Sequence, residues 1–176
     1  LHFTSGDNSA KTDASYVTNN GLIVISGSHD TGITSVYKND GSMFFTGSNP
    51  RGSSAGIAKL KEAKWSSENT IFNNGKIYVG GYNNSGILLE SIYKDTVTNN
   101  GTINVNGDYG IGMYASGAGS TATNTGNIVL NGNNTTGIYA DNGAAAVNTG
   151  SISTGSGSYS NVVGVYLGQG STLNNT

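Results

Sequence analysis

One short pattern returns along the whole chain and constrains it more than any single residue: Asn-x-Gly, then apolar residues at alternate positions. It reads Asn19-Asn20-Gly21-Leu22-Ile23-Val24-Ile25, Asn39-Asp40-Gly41-Ser42-Met43-Phe44-Phe45 and Asn73-Asn74-Gly75-Lys76-Ile77-Tyr78-Val79. It reads again as Asn99-Asn100-Gly101-Thr102-Ile103-Asn104-Val105, Asn124-Thr125-Gly126-Asn127-Ile128-Val129-Leu130 and, more weakly, Asn148-Thr149-Gly150-Ser151-Ile152-Ser153-Thr154. The anchor glycines lie 20, 34, 26, 25 and 24 residues apart. A second mark, Gly followed by Ile, Met or Val, follows each anchor at Gly32, Gly56, Gly86, Gly112, Gly137 and Gly164, four times at a distance of 11 residues. Self-similarity at such a period is the signature of a solenoid.

Within each repeat the apolar residues are two apart. That places Ile103 and Val105 on one strand face and Asn104 on the other. Stretches such as Asp95-Thr96-Val97-Thr98 add a further short strand before the next anchor. One such coil cannot bury its own apolar face. Stacked coils can, each strand pairing in parallel with its equivalent one coil away. The expected fold is an all-β, right-handed parallel β-helix of about seven coils, a rod on the order of 34 Å long. Ile23, Ile25, Met43, Phe45, Ile77, Val79, Ile103, Val105, Ile128 and Leu130 form its predicted core. An antiparallel sandwich would also show short strands, but not the same residue at the same place in every repeat. Residues 1–176 read as one β-helix segment of a longer chain, because Leu1-His2-Phe3 and Asn174-Asn175-Thr176 both fall in mid-repeat. Residues 47–70 read as an irregular coil carrying an inserted loop or short helix.

The chain has 28 glycines, one proline and no cysteine, 10% charged residues and a net charge of −2. Zero cysteine excludes disulfides and thiolate metal sites. The low charged fraction and net negative charge argue against nucleic acid as a partner. A serine hydrolase needs a base beside its nucleophile, yet the histidines are His2 and His29, and Gly155-Ser156-Gly157 sits in a polar loop. The ten carboxylates are scattered across repeats rather than paired. The reading is non-enzymatic, with no catalytic residues, cofactor or metal.

The stretch Asn-Thr-Gly-Asn-Ile-Val-Leu-Asn-Gly-Asn-Asn-Thr-Thr-Gly-Ile-Tyr-Ala, residues 124–140, resembles the passenger repeats of Gram-negative autotransporter adhesins, especially the fusobacterial type. The resemblance extends over essentially the whole chain. It implies a β-helical stalk and contact surface on the bacterial cell, anchored to the outer membrane through a C-terminal β-barrel outside this segment. The implied partners are flanking coils of the same chain and a protein or glycan on host or bacterial surfaces. A β-helical polysaccharide-active or phage-tail-type glycan-binding protein is the alternative.

Three sets of residues stand out. Asn19, Asn39, Asn73, Asn99, Asn124, Asn148 and Asn174 are expected to form a hydrogen-bonded amide ladder along the axis, since each amide both donates and accepts. Tyr114, Tyr139 and Tyr166 each follow a second mark and should stand outward about 4.8 Å apart, either as a contact row or as a self-stacked stiffener. Trp65 with Lys59, Lys61 and Lys64 belongs to the longest repeat, Gly41 to Gly75. There Ala58-Lys59-Leu60-Lys61-Glu62-Ala63-Lys64-Trp65 favours a loop or helical turn that either binds a partner or caps the rod.

Overall fold

The computed structural model describes residues 16–36, 58–60, 70–90 and 94–176, and these form β-strands joined by short corners. Three parallel sheets run the length of the molecule. The first contains β1 (Tyr16–Asn19), β5 (Thr70–Asn73), β8 (Thr96–Asn99), β11 (Thr121–Asn124), β14 (Ala145–Asn148) and β17 (Thr172–Asn175), in that order. The second contains β2 (Leu22–Ile25), β6 (Lys76–Val79), β9 (Thr102–Val105), β12 (Asn127–Leu130) and β15 (Ser151–Thr154). The third contains β4 (Ala58–Leu60), β3 (Thr31–Val36), β7 (Ser85–Glu90), β10 (Ile111–Ser116), β13 (Thr136–Asp141) and β16 (Val163–Leu167). This is a right-handed parallel β-helix with one strand of each sheet per coil.

The alternation read from the sequence is the packing rule. Ile23, Ile77, Ile103, Ile128 and Ile152 are in register along the second sheet, with Ile25, Val79, Val105 and Leu130 two positions on. From Ile77 to Leu130 these residues are at most 1% exposed, and Ile23 is 7% exposed. The first and third sheets complete the core with Ile71, Val97, Ala122 and Ala146, and with Ile33, Ile87, Met113 and Ile138. Met43 and Phe45 lie outside the described residues.

Among the described residues the marked glycines, Gly21 and Gly164 apart, have steric causes. At the first mark, a Cβ on Gly101 would fall on the carbonyl oxygen of Gly75 in the preceding coil. At the second, a Cβ on Gly86 would lie 2.7 Å from the Gly112 carbonyl oxygen and 3.1 Å from the Ile103 methyl. Backbone stacked this closely at a corner leaves no room for a side chain.

The coil count corrects the expectation of about seven. Among the described residues there are five three-strand coils, and β17 opens another. The difference arises between Gly21 and Gly75. Strand β1 pairs directly with β5, β2 with β6 and β3 with β7, so no strand stands between these two coils. Strand β4 instead pairs on the far side of β3, with Ile33 opposite Ala58 and Thr34 opposite Lys59. Ala58–Leu60 is therefore a strand and not a loop or helical turn. The open edge of β3 supplies a hydrogen-bonding ladder, and helix propensity is a weak prior beside it. The six strands of the first sheet span about 24 Å at one strand spacing per coil.

The amide ladder runs inside the first corner. Asn19 Nδ2 donates to Asn73 Oδ1 at 2.8 Å, Asn73 to Asn99 at 2.7 Å, Asn99 to Asn124 at 2.7 Å, Asn124 to Asn148 at 2.8 Å and Asn148 to Asn175 at 2.8 Å. Its last member is Asn175 and not Asn174. Leu173 takes the core position opposite Ala146, so period-two alternation turns Asn174 outward and Asn175 inward. Asn39 lies outside the described residues, and the ladder passes from Asn19 straight to Asn73.

Candidate functional site

Tyr114, Tyr139 and Tyr166 occupy one register position on the outer face of the third sheet. Their neighbours Met113, Ile138 and Val165 point into the core, so alternation sends the tyrosines out. The rings stack along the axis, with centroids 5.2 Å apart for Tyr114 and Tyr139 and 4.6 Å for Tyr139 and Tyr166, tilted by 29° and 30°. Stacking occupies the ring faces, so the ridge presents ring edges and phenol hydroxyls to solvent. Tyr166 is 46% exposed, while Tyr114 and Tyr139 are half-buried. The row ends at Leu88, which holds the same position one coil earlier and is buried.

Partial burial raises the pKa of Tyr139, and the adjacent Tyr166, Asp141 and Tyr114 push it further the same way. The central phenol is thus held protonated. Asp141 closes the end of this strand: its Oδ1 accepts from Asn142 N at 2.8 Å and from Gln169 N at 3.0 Å. Asn142 Nδ2 donates to Ser116 Oγ at 2.9 Å, tying the corner to the preceding coil.

The tyrosine ridge is not the only repeated exposed aromatic feature. At the corner between the second and third sheets, Tyr82 and Tyr109 lie with ring centroids 5.1 Å apart, and His29 lies 6.2 Å from Tyr82. Tyr82 pairs in register with Asp108, so the two tyrosines touch diagonally. That offset hides the pair from a search for equal spacing. The corner has a left-handed residue in each coil: His29, Asn83, Tyr109, Asn134 and Asn161 have φ between 53° and 62°. Asparagine tolerates this conformation, whereas tyrosine adopts it at a cost.

The remaining sequence-derived candidates divide. Lys59 lies on β4, while Lys61, Lys64 and Trp65 lie outside the described residues. Among the described residues the carboxylates sit at corners and at strand starts or ends. Asp108 Oδ1 accepts from Asn133 N at 2.8 Å, and Asp30 and Asp95 are buried with partners. Among the described residues no three His, Asp or Glu side chains come together as metal ligands would. Sequence reading missed Asn84, buried at the second corner. Its Oδ1 accepts from Asp30 N at 2.6 Å and its Nδ2 donates to Gly27 O at 2.8 Å, stapling two coils.

The profile of the family described as the BigA third pectate lyase-like domain matches residues 4–151. The chain belongs to this family. The BigA-type assignment agrees with the parallel coils and makes the chain part of a bacterial surface protein. No curated protein and no solved structure matches it. Four of the five complete BigA-type coils fall wholly within the matched residues, and the fifth begins within them.

Proposed function

We propose that this BigA-type domain is a non-catalytic adhesin segment, a rigid stalk and contact surface displayed on the outer membrane of the bacterium. The observation that carries the reading is the stacked ridge of Tyr114, Tyr139 and Tyr166 on successive coils. Tyrosine offers a large contact area with a polar tip and loses little rotamer freedom on binding. A ridge already ordered by its own stacking loses still less. The described carboxylates that would be the natural acid–base groups are engaged in corners, which favours display over turnover. The segment around Lys59, Lys61, Lys64 and Trp65 is a second contact candidate, because it departs most from the repeat.

The partner is a protein or glycan on a host or bacterial surface. Contact through one ridge is weak per copy, and many copies on a cell make it effective. The test displays the domain on beads and measures attachment to host and bacterial cells. Variants Tyr114/Tyr139/Tyr166→Ser and Trp65→Ala are each compared after their folding is checked. Loss of attachment in either variant supports the reading. Equal attachment by both variants places contact elsewhere, and no attachment by multivalent wild type overturns adhesion.

A further inference from the structure

The third sheet sets phenol against phenol. Among the described residues, tyrosine is the direct register partner of tyrosine at two places, Tyr114 with Tyr139 and Tyr139 with Tyr166. Tyr78 instead stands between Val24 and Asn104. Tyr82 and Tyr109 meet across a diagonal, their rings tilted by 52°. Register partners on adjacent parallel strands are about 4.8 Å apart, so the backbone itself keeps each ridge pair together. Tyr139 and Tyr166 form the closer pair, with centroids 4.6 Å apart and rings 30° from parallel. Tyr166 is also the most exposed ring of the ridge, which leaves it open to a reagent from solution.

Two phenols in fixed contact are the reactant geometry for oxidative coupling. We infer that Tyr139 and Tyr166 form a modification site, at which hydrogen peroxide used by a haem peroxidase joins the two rings as dityrosine. Each phenol loses one electron and its O–H proton, giving two phenoxyl radicals. A carbon–carbon bond forms between ring carbons adjacent to the two oxygens. The hydrogens on those carbons then pass to the oxygens, restoring both phenols. The pair loses two electrons and two protons in all, and these reduce one peroxide to two waters. Burial first, then Tyr166, Asp141 and Tyr114, keep Tyr139 a phenol, so oxidation there removes the proton with the electron.

The rings meet by their faces, whereas the new bond joins their edges. Coupling therefore requires the rings to turn about their side-chain bonds, a motion that exposed side chains make within nanoseconds. Partners held in contact react as a unimolecular step, at an effective concentration far above that of any protein solution. The link within one chain is thus favoured over links between chains. It staples the coil of β13 to the coil of β16. The inference does not rest on adhesion, because the reaction and its test involve no cell or receptor.

The experiment treats the dilute purified domain with a haem peroxidase and hydrogen peroxide and follows dityrosine fluorescence. Cleavage before aspartate then separates residues 108–140, which carry Tyr139, from residues 141–176, which carry Tyr166. The expected product is these two peptides joined with the loss of two hydrogens, at a yield independent of protein concentration. Tyr139→Phe and Tyr166→Phe should each abolish the joined peptide. Phenylalanine keeps the ring and its stacking, so the loss reports the phenol and not the fold. Tyr109→Phe and Tyr159→Phe, on the same two peptides, should leave the yield unchanged. The assignment is overturned if no joined peptide forms, if it persists in Tyr139→Phe or Tyr166→Phe, or if its yield falls on dilution as a link between molecules would.

Discussion

Replacing Asn99 by alanine isolates what the inner ladder contributes. Asn99 is fully buried, accepts from Asn73 Nδ2 at 2.7 Å and donates to Asn124 Oδ1 at 2.7 Å. Its removal strands a donor on Asn73 and an acceptor on Asn124, both fully buried. Each stranded group costs about 1–3 kcal/mol, so the substitution should cost about 2–6 kcal/mol. Asn19→Ala strands one buried group, Asn73 Oδ1, while the exposed Gly21 N that it also releases can turn to water, and it should cost about 1–3 kcal/mol. The double variant Asn99→Ala/Asn124→Ala leaves Asn73 Nδ2 and Asn148 Oδ1 without partners, again two groups. It should therefore cost about as much as either single change and well below their sum. Urea unfolding of the four variants, with the slope compared throughout, measures these differences. A loss at Asn99 of less than about 0.5 kcal/mol, or strict additivity in the cycle, would refute the energetic role assigned to the ladder.

Three other outcomes are expected. Gly112→Ala brings a Cβ to 2.6 Å from the Gly137 carbonyl oxygen, while the Cβ of Gly164→Ala meets nothing closer than 3.9 Å; thermal unfolding should show a loss of about 3 kcal/mol for the first and under about 1 for the second. Tyr109 adopts φ 58°, so Tyr109→Asn should raise stability by about 0.5 kcal/mol, relief of the left-handed backbone outweighing the lost contact with Tyr82; a loss above about 1 kcal/mol would contradict this. Tyr139 has its pKa raised above 10.0 in the fold, so the stability it contributes is complete below that pH and declines as pH rises through the folded value; ultraviolet titration of tyrosinate should lose a late-ionising component in Tyr139→Phe.

The core was legible because its rule is local. Period-two spacing from each Asn-x-Gly places Ile103 and Val105 inside, and both are 0% exposed. Stacking order was not legible from the motif alone. Asn39-Asp40-Gly41 carries the same local signal as Asn73-Asn74-Gly75, yet β1 pairs with β5 across 54 residues. The uneven spacings of 20 and 34 were the trace of that excursion, since a coil that stacks normally here takes 24 to 26 residues. Asn174 was misplaced because two adjacent asparagines look alike until Leu173 fixes which of them faces inward. The tyrosine ridge was readable from its regular offset. The Tyr82–Tyr109 contact was not, because it is diagonal and depends on the shape of the corner.

The inner ladder also has a direction. Every amide in it donates toward the C-terminal end, while an outer rail of Asn20, Asn74 and Asn100 donates toward the N-terminal end. A coil that docks one residue out of step, with Phe72 in the place of Asn73 or Val147 in the place of Asn148, turns its asparagine from inside to outside and puts an apolar side chain in the column. The waiting donor of the coil before it then meets no acceptor. The column thus works as a parity check on assembly. Apolar residues alone tolerate a slipped or swapped neighbour of similar size, but one amide per turn, read in a fixed direction, marks a misthreaded coil at the step where the slip occurs.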